Sequence, residues 1–318
     1  MATWATFLMR SCTTISRGDS PGTMSDDLTG TAPWRSFLTE TEQRLSGSSD
    51  VEDPRLEARW LMEEVVGVDG ADFMAALGQL ATTRGVARLD SMVERRLGGE
   101  PIQYVLGHWA FRRLDLMVDR RVLIPRPETE VVVDYALIEL DRLHPEGGGV
   151  VADLGTGSGA IGLSIATERP GARAVLTDVS EDALAVARAN LAGLGMAGSH
   201  VEVFGGRWFD ALPTEMSGQI DVIVSNPPYV ATTEDLPASV LDWEPEGALR
   251  AGPDGRNDLD QLVAGAELWL RPGGALVLEM APTQTTVVAE LARARDFEVA
   301  VHEDLAGRER LIVARCKG

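Results

Sequence analysis

The chain has 318 residues, 44% of them hydrophobic, and its 49 acidic against 29 basic residues give a formal net charge of -20. No apolar run approaches the ~20 residues needed to span a bilayer. The acidic balance would repel a nucleic-acid backbone, and no block of basic residues offsets it. Composition thus excludes a membrane-spanning protein and argues against direct nucleic-acid binding, while the length suits one large domain or two modest ones.

Few side chains offer metal, disulfide or lysine chemistry. Cys12 and Cys316 stand near opposite ends of the chain without a C-x-x-C pair, and the four histidines lack the spacing of metal ligands. Lys317 is the only lysine, so the folded body has none for Schiff-base chemistry. We therefore expect no disulfide, no metal site and a reducing compartment, the cytoplasm.

Residues 1–30 mix Ser, Thr, Gly and Asp without periodicity, which predicts a flexible tail. Met24 is an alternative start. The first eighteen residues lack acids and contain Arg10 and Arg17, a composition that faintly resembles an organelle transit peptide. The tail is therefore open to two interpretations, a plain extension or a targeting segment.

Residues 31–100 carry apolar residues three and four positions apart, which predicts helices. Asp53-Pro54 is a typical helix start, and Gly67 is a typical stop. No catalytic spacing occurs in this stretch. We expect a small helical domain that recognises a substrate or partner, with plain packing as the alternative.

Residues 101–125 predict a hairpin that links this domain to the rest of the chain. Leu114, Leu116 and Val118 alternate with other residues, and a second apolar run covers 122–124. A helix is expected to follow, with Pro127 in its first turn. Its expected apolar face consists of Val131, Val132, Tyr135 and Ile138.

From residue 126 to 318 we expect one α/β domain, because strands and helices alternate as in a doubly wound sheet. The predicted strands are 150–154, 172–177, 201–204, 220–225 and 275–279, followed by an antiparallel pair at 297–302 and 310–313. The predicted helices include 160–166, 259–270 and 285–295.

A glycine-rich loop follows the first of these strands. Its residues are Gly155, Thr156, Gly157, Ser158 and Gly159. Glycines at alternate positions let the backbone approach a ligand at the helix N-terminus, and Asp178, at the end of the next strand, suits ribose hydroxyls. With Gly162 the loop also matches the dinucleotide fingerprint G-x-G-x-x-G, so alone it fits NAD as well as S-adenosylmethionine.

The four residues Asn226-Pro227-Pro228-Tyr229 directly follow the apolar strand 220–225. Two prolines stiffen the turn. The side-chain oxygen of Asn226 and the carbonyl of Pro227 are two acceptors for a planar NH2 group, with Tyr229 packed against the substrate. An ordinary strand-ending turn is the alternative. A dehydrogenase has no use for such a grip, so the turn favours a methyltransferase that acts on an amino or amide nitrogen.

Five blocks carry a resemblance to a known family. They are PIQYVLG (101–107), LIPRPETE (123–130), the glycine loop, NPPY (226–229) and RPGG (271–274). The chain resembles the HemK/PrmC family of protein-(glutamine-N5) methyltransferases. The resemblance implies a class I S-adenosylmethionine-dependent methyltransferase fold, with a seven-stranded, mostly parallel doubly wound sheet, a small N-terminal helical domain and a β-hairpin linker.

The resemblance also implies the substrate, which is the glutamine of the Gly-Gly-Gln motif in class 1 peptide chain release factors. We expect the enzyme to be a monomer. The implied cofactor-binding residues are Gly155, Thr156, Gly157, Ser158 and Gly159 for the methionine end, Asp178 for the ribose, Trp208 for the adenine, and Asn226. The implied substrate-binding residues are Asn226, Pro227, Pro228 and Tyr229, of which Asn226, Pro227 and Tyr229 are the catalytic candidates. Arg207 departs from the acidic or small polar residue that relatives often carry before the aromatic.

Two rival functions share some of these features. An adenine-N6 methyltransferase on DNA or RNA would use the same turn on an exocyclic amine, but the net charge argues against it. A non-catalytic cofactor-binding protein would keep the glycine loop and would not need the Asn226 turn.

The long segment 232–258 is either a wall of the substrate site or a mobile surface loop.

Overall fold

The computed structural model describes residues 32–317. The chain divides between Leu106 and Gly107 into two compact units. The sequence placed the end of the helical domain at residue 100, and the predicted tail, 1–30, lies outside the described residues.

Five helices make up the described part of the first unit: α1 Trp34–Leu45, α2 Pro54–Val66, α3 Gly70–Ala76, α4 Thr83–Leu97 and α5 Ile102–Leu106. Helix α2 begins and ends as expected. The Asp53 side chain accepts a hydrogen bond from Leu56 N at 3.0 Å, and Gly67 closes the helix in the left-handed region. Inside the unit Arg96 and Glu57 form a buried ion pair at 2.6 Å.

The second unit opens with a hairpin that differs from the predicted one. Strands β1 (His108–Phe111) and β2 (Leu114–Met117) pair antiparallel around Arg112, which has a φ of 52°. The predicted second strand at 122–124 is wrong, because these residues form no strand. Val122 and Ile124 are buried in irregular backbone, so their apolar character reflects burial and not strand pairing.

The remaining elements are α6 Glu130–Leu143, β3 Val150–Leu154, α7 Ala160–Glu168, β4 Arg173–Asp178, α8 Glu181–Gly193, β5 Val201–Gly205, β6 Ile220–Ser225, α9 Ala238–Leu241, α10 Asn257–Trp269, β7 Leu270–Glu279, α11 Thr285–Arg293, β8 Glu298–Glu303 and β9 Glu309–Arg315. The sheet order is β5-β4-β3-β6-β7-β9-β8, and β9 runs antiparallel to both neighbours. This confirms the predicted seven-stranded, mostly parallel doubly wound sheet.

Two apolar layers cover the two faces of the sheet. In β3, Val151 packs in the cluster that includes α6 and α7, while Ala152 packs in the cluster that includes α10 and α11. Because both faces are covered, the central strand β6 is buried at all six of its residues. Ile138 was expected on the buried face of α6 and is instead 52% exposed, since Ala136 and Leu140 hold that face.

The sheet positions two loops side by side. The chain winds outward from β3 in one direction through β4 and β5 and then returns to add β6 on the other side of β3. Ligands of doubly wound sheets bind at the carboxyl ends of the strands where this reversal occurs. The loops that follow β3 and β6 are the glycine loop and the Asn226 turn.

Asn190 on α8 ties the hairpin to the glycine loop. Its Nδ2 donates to Ser158 O at 2.8 Å and to Met117 O at 3.1 Å, and its Oδ1 accepts from Met117 N at 2.7 Å.

Asn190→Ala is expected to lower the free energy of unfolding of the protein by about 1–3 kcal/mol, because buried backbone groups lose their partners. Arg188→Ala, an exposed change on the same helix, is the control and should cost about 0.5 kcal/mol or less. Equal stabilities in urea denaturation would contradict this role.

Candidate active site

The glycine loop is held by backbone contacts at the end of β3. Gly155 N and Thr156 N both donate to Thr177 O, at 2.9 and 2.8 Å. Gly155 has a φ of 75°, and a Cβ on it would lie 3.0 Å from the Trp208 ring. Glycine is therefore required both by the backbone conformation and by the approach of the indole.

A buried carboxylate, that of Asp153, stabilises the glycine loop through hydrogen bonds. Asp153 Oδ2 accepts from Thr156 Oγ1 at 2.6 Å and from Gly162 N at 2.9 Å. Burial raises the pKa of Asp153 to about 6, against the effect of these two donors. Asp153 thus links the loop to the first turn of α7.

Asp178, at the end of β4, faces the same loop. Its carboxylate accepts from Gly157 N and from Ser180 N, both at 2.9 Å. Burial is the main cause that raises its pKa, while these backbone donors lower it. Asp178 therefore supports the loop conformation as well as lining the cavity described below.

Trp208 and Arg207 share one partner that the sequence did not reveal. Trp208 Nε1 and Arg207 Nη2 both donate to Asp258 Oδ1, at 3.2 and 2.7 Å. Trp208 takes a φ of 46°, which is uncommon for a bulky residue. The arginine that departs from the family pattern is therefore neutralised by Asp258 and helps to fix the position of the tryptophan.

The Asn226 turn is held from its rear side. Asn226 Nδ2 donates to Thr129 Oγ1 at 3.0 Å, which leaves the other end of the amide, Oδ1, as its acceptor. Gln284 holds the end of the turn, because its Nε2 donates to Tyr229 O at 2.9 Å and to Gly255 O at 3.1 Å. A Cβ on Gly255 would lie 2.3 Å from Tyr229 O, so only glycine permits this approach.

Tyr229 points toward a buried carboxylate. Its hydroxyl donates to Glu279 Oε1 at 3.5 Å and accepts from Arg310 Nη1 at 3.3 Å. Burial raises the pKa of Tyr229 to about 12, and that of Glu279 to about 7. The hydroxyl is thus neutral and takes part in a hydrogen-bonded chain behind the turn.

A buried glutamate attaches the segment 232–258 to the backbone before α6. Glu244 accepts from Ile124 N at 3.1 Å and forms an ion pair with Arg126. Pro245, Gly247 and Ala248 of this segment line the cavity described next. The interpretation as a wall of the site is thereby favoured over that of a mobile loop.

A cavity of about 350 Å³ lies where these loops meet, within the second unit. The predicted site residues that line it are Gly155, Thr156, Gly157, Ser158, Asp178, Trp208, Asn226 and Pro228. Three predicted site residues do not line the cavity: Gly159, the residue before α7; Pro227, which is buried; and Tyr229, which lies behind the turn. Direct contact of Pro227 and Tyr229 with a substrate, and of Gly159 with a cofactor, stays a prediction.

Sequence reasoning missed Thr129, Asp258, Glu279 and Gln284. Each acts through a partner at least 29 positions away in the chain, so no local spacing marked it. Thr129 lay within the block 123–130, and this was the one feature of the sequence that could have marked any of the four.

Among residues 32–317 no helix is long and apolar enough to cross a membrane. In that same stretch no three His, Cys, Asp or Glu side chains are grouped to hold a metal ion.

The strand order, with a glycine loop after β3 and Asn-Pro-Pro-Tyr after β6, is that of a class I methyltransferase. Family models agree: residues 36–107 match the PrmC N-terminal domain, and residues 135–241 match the methyltransferase small domain.

Three relatives are named release factor glutamine methyltransferase. That of Xylella fastidiosa is 44% identical over 230 residues, 72% of this chain and 81% of the relative. That of Moorella thermoacetica is 41% identical over 286 residues, 88% and 97% of the two chains, and that of Deinococcus radiodurans 36% over 285 residues, 89% and 99%. The chain belongs to the release factor glutamine methyltransferase family, which confirms the resemblance.

Asp178→Ala is expected to weaken S-adenosylmethionine binding by roughly 10- to 100-fold, because hydrogen bonds to a carboxylate contribute about 1.5–3 kcal/mol. Calorimetric titration measures the affinity. Asp182→Ala, the loss of an exposed carboxylate in the first turn of α8, is the control and should bind normally. Unchanged affinity of Asp178→Ala would contradict the predicted contact of this carboxylate with the ribose.

Proposed function

We propose that this protein transfers a methyl group from S-adenosylmethionine to the side-chain amide nitrogen of the glutamine in the Gly-Gly-Gln motif of class 1 release factors, in the cytoplasm. The observation that carries the proposal is the fixed Asn226 amide at the carboxyl end of β6. Thr129 binds its Nδ2, so an acceptor oxygen is available beside the glycine loop. The names of the relatives support the choice of substrate.

The residues of the cavity fit the proposed cofactor. Gly157 is open, since a Cβ on it would meet no atom within 4 Å, and its backbone can approach a ligand. Asp178 supplies a carboxylate for ribose hydroxyls, and Trp208 supplies an aromatic face for the adenine. When bound, S-adenosylmethionine supplies a sulfonium methyl carbon as the electrophile.

The chain's own task is to orient a poor nucleophile. Asn226 Oδ1 and the Pro227 carbonyl accept the two N–H groups of the substrate amide and turn the nitrogen lone pair toward the methyl carbon. As the N–C bond forms and the C–S bond breaks, positive charge develops on the nitrogen, and these two acceptors stabilise it. One N–H proton then leaves to solvent, so no strong base is required before transfer.

Asn226→Ala should reduce kcat for labelled-methyl transfer to intact release factor by roughly 10²- to 10³-fold, the effect of losing one transition-state hydrogen bond. The affinity for S-adenosylmethionine should change far less. A fall in kcat without a fall in cofactor affinity or melting temperature is the expected pattern. Near-normal turnover would rule out the amide grip.

The first unit is proposed to select the protein that carries the glutamine, because the amide alone offers few contacts and glutamine is common. It exposes apolar side chains, Met74 at 61% and Leu80 at 49%. Single exposed apolar side chains are common on protein surfaces, so the assignment of these two to contact with the release factor is a proposal that the following substitution tests.

Replacing both Met74 and Leu80 by Ser should lower kcat/KM on intact release factor by about tenfold or more, and leave kcat/KM on a short Gly-Gly-Gln peptide unchanged. Met196→Ser, a change at a side chain of the second unit that is 87% exposed, is the control. Equal loss on factor and peptide would point to a general structural effect, and no loss on either would remove these side chains from recognition.

A further inference from the structure

A carboxylate from a distant helix lies in the wall of the cavity beside Trp208. Asp258 belongs to the first turn of α10, 50 positions after Trp208, and it lines the cavity. Leu259 and Leu262 of the same helix are fully buried in the cluster that covers one face of the sheet. The packing of α10 therefore fixes the place of this carboxylate.

Two donors occupy one oxygen of the carboxylate and leave the other oxygen without a partner. Arg207 Nη2 and Trp208 Nε1 both donate to Asp258 Oδ1, at 2.7 and 3.2 Å. Within residues 32–317 no donor bonds to Oδ2, and this atom keeps surface that is accessible to solvent. Asp258 as a whole is only 7% exposed. Oδ2 is thus an unpaired acceptor in the wall of a cavity.

The surroundings of this acceptor suit a planar ring. The indole of Trp208 lies against the glycine loop, since a Cβ on Gly155 would be 3.0 Å from its Cζ3. Val179, which also lines the cavity, is 68% exposed. Gly206 N donates to Asp178 O at 2.9 Å and so joins the segment before Trp208 to the end of β4. An aromatic face, an aliphatic side chain and one edge acceptor match a flat heterocycle that carries an amino group.

We propose that Asp258 is a specificity-determining residue for the cofactor, because its Oδ2 accepts a hydrogen bond from the 6-amino group of the adenine. The bonds from Arg207 and Trp208 to Oδ1 hold the carboxylate so that Oδ2 stays available. A 6-oxopurine would place an acceptor opposite this acceptor and would be rejected. The inference rests on the proposed function for the presence of S-adenosylmethionine in this cavity.

The substitution Asp258→Asn separates this role from a structural one. Asparagine has the shape of aspartate, and the two donors hold its amide oxygen in the place of Oδ1, so Nδ2, a donor, takes the place of Oδ2. Trp208 therefore stays bound while the acceptor for the base becomes a donor. Asp260→Asn is the matched control, because it removes the same charge from the first turn of the same helix at a residue outside the cavity lining.

Calorimetric titration with three ligands measures the preference. They are S-adenosylhomocysteine, which is what remains of the cofactor after the methyl group leaves, its 6-oxo analogue S-inosylhomocysteine, and the analogue with hydrogen at position 6 of the purine. In the wild type and in Asp260→Asn the adenine ligand should bind about 100-fold more tightly than the 6-oxo ligand, with the 6-hydrogen ligand between them. In Asp258→Asn this ratio should fall by about tenfold or more, because the adenine ligand binds more weakly and the 6-oxo ligand more tightly.

Two results would overturn the proposal. Equal weakening of all three ligands in Asp258→Asn would show that the carboxylate serves to hold Trp208 and does not contact the base. Similar affinities of the wild type for the adenine and 6-oxo ligands would exclude recognition of the amino group, and this measurement does not depend on the folding of any variant.

Labelled-methyl transfer to intact release factor distinguishes this inference from the proposed function. A wild-type protein that shows the purine preference and methylates no release factor would support the inference and refute the proposed function. Methylation of release factor, together with an unchanged ligand ratio in Asp258→Asn, would refute the inference alone. Failure of the wild type to bind S-adenosylhomocysteine would refute both.

Discussion

The hydrogen bond from Asn226 Nδ2 to Thr129 Oγ1 is the contact on which the proposed chemistry of the site depends. It joins two segments 97 positions apart at 3.0 Å and decides which end of the amide is available beside the cavity. An amide presents either two donors or an acceptor, and only the acceptor suits a substrate NH2 group. The prolines that follow Asn226 hold the backbone, while Thr129 holds the side chain, so both are set before a substrate arrives.

The parallel sheet gives that contact its place in the site, because it positions the Asn226 turn beside the glycine loop. Strands β3 and β6 are hydrogen-bonded neighbours, and Ser225 Oγ donates to Leu154 O at 2.6 Å where the two strands end. Asp153 and Asp178 then fix the loop by accepting from its Thr156 hydroxyl and its Gly157 N–H. Donor and acceptor of the methyl group would thus meet on rigid elements, which limits the misplacement that is costly in transfer reactions.

Local chemistry explains which parts of the fold were predictable. The strand 220–225 was placed at its observed bounds, because six buried residues end at a proline pair that stops the ladder. The hairpin was misplaced, because Val118 continued the alternation of Leu114 and Leu116 although it lies beyond β2. An apolar residue that alternates within a strand cannot be distinguished in the sequence from one that is buried in irregular backbone.

The site was predictable where one segment supplies the geometry, as in the glycine loop and the Asn226 turn. The supporting residues were not, since the partners of Glu279 and Asp258 come from distant segments that only the fold brings together. A buried glutamate at a strand end is indistinguishable in sequence from one that faces solvent.

The measurement that tests the account most directly is the position of the transferred methyl group. Release factor incubated with this protein and S-adenosylmethionine would be digested and sequenced by fragmentation mass spectrometry. The account predicts one methyl group on the side-chain amide of the Gly-Gly-Gln glutamine, and none when that glutamine is replaced by glutamate. A methyl group on another residue, or transfer only to nucleic acid, would contradict it.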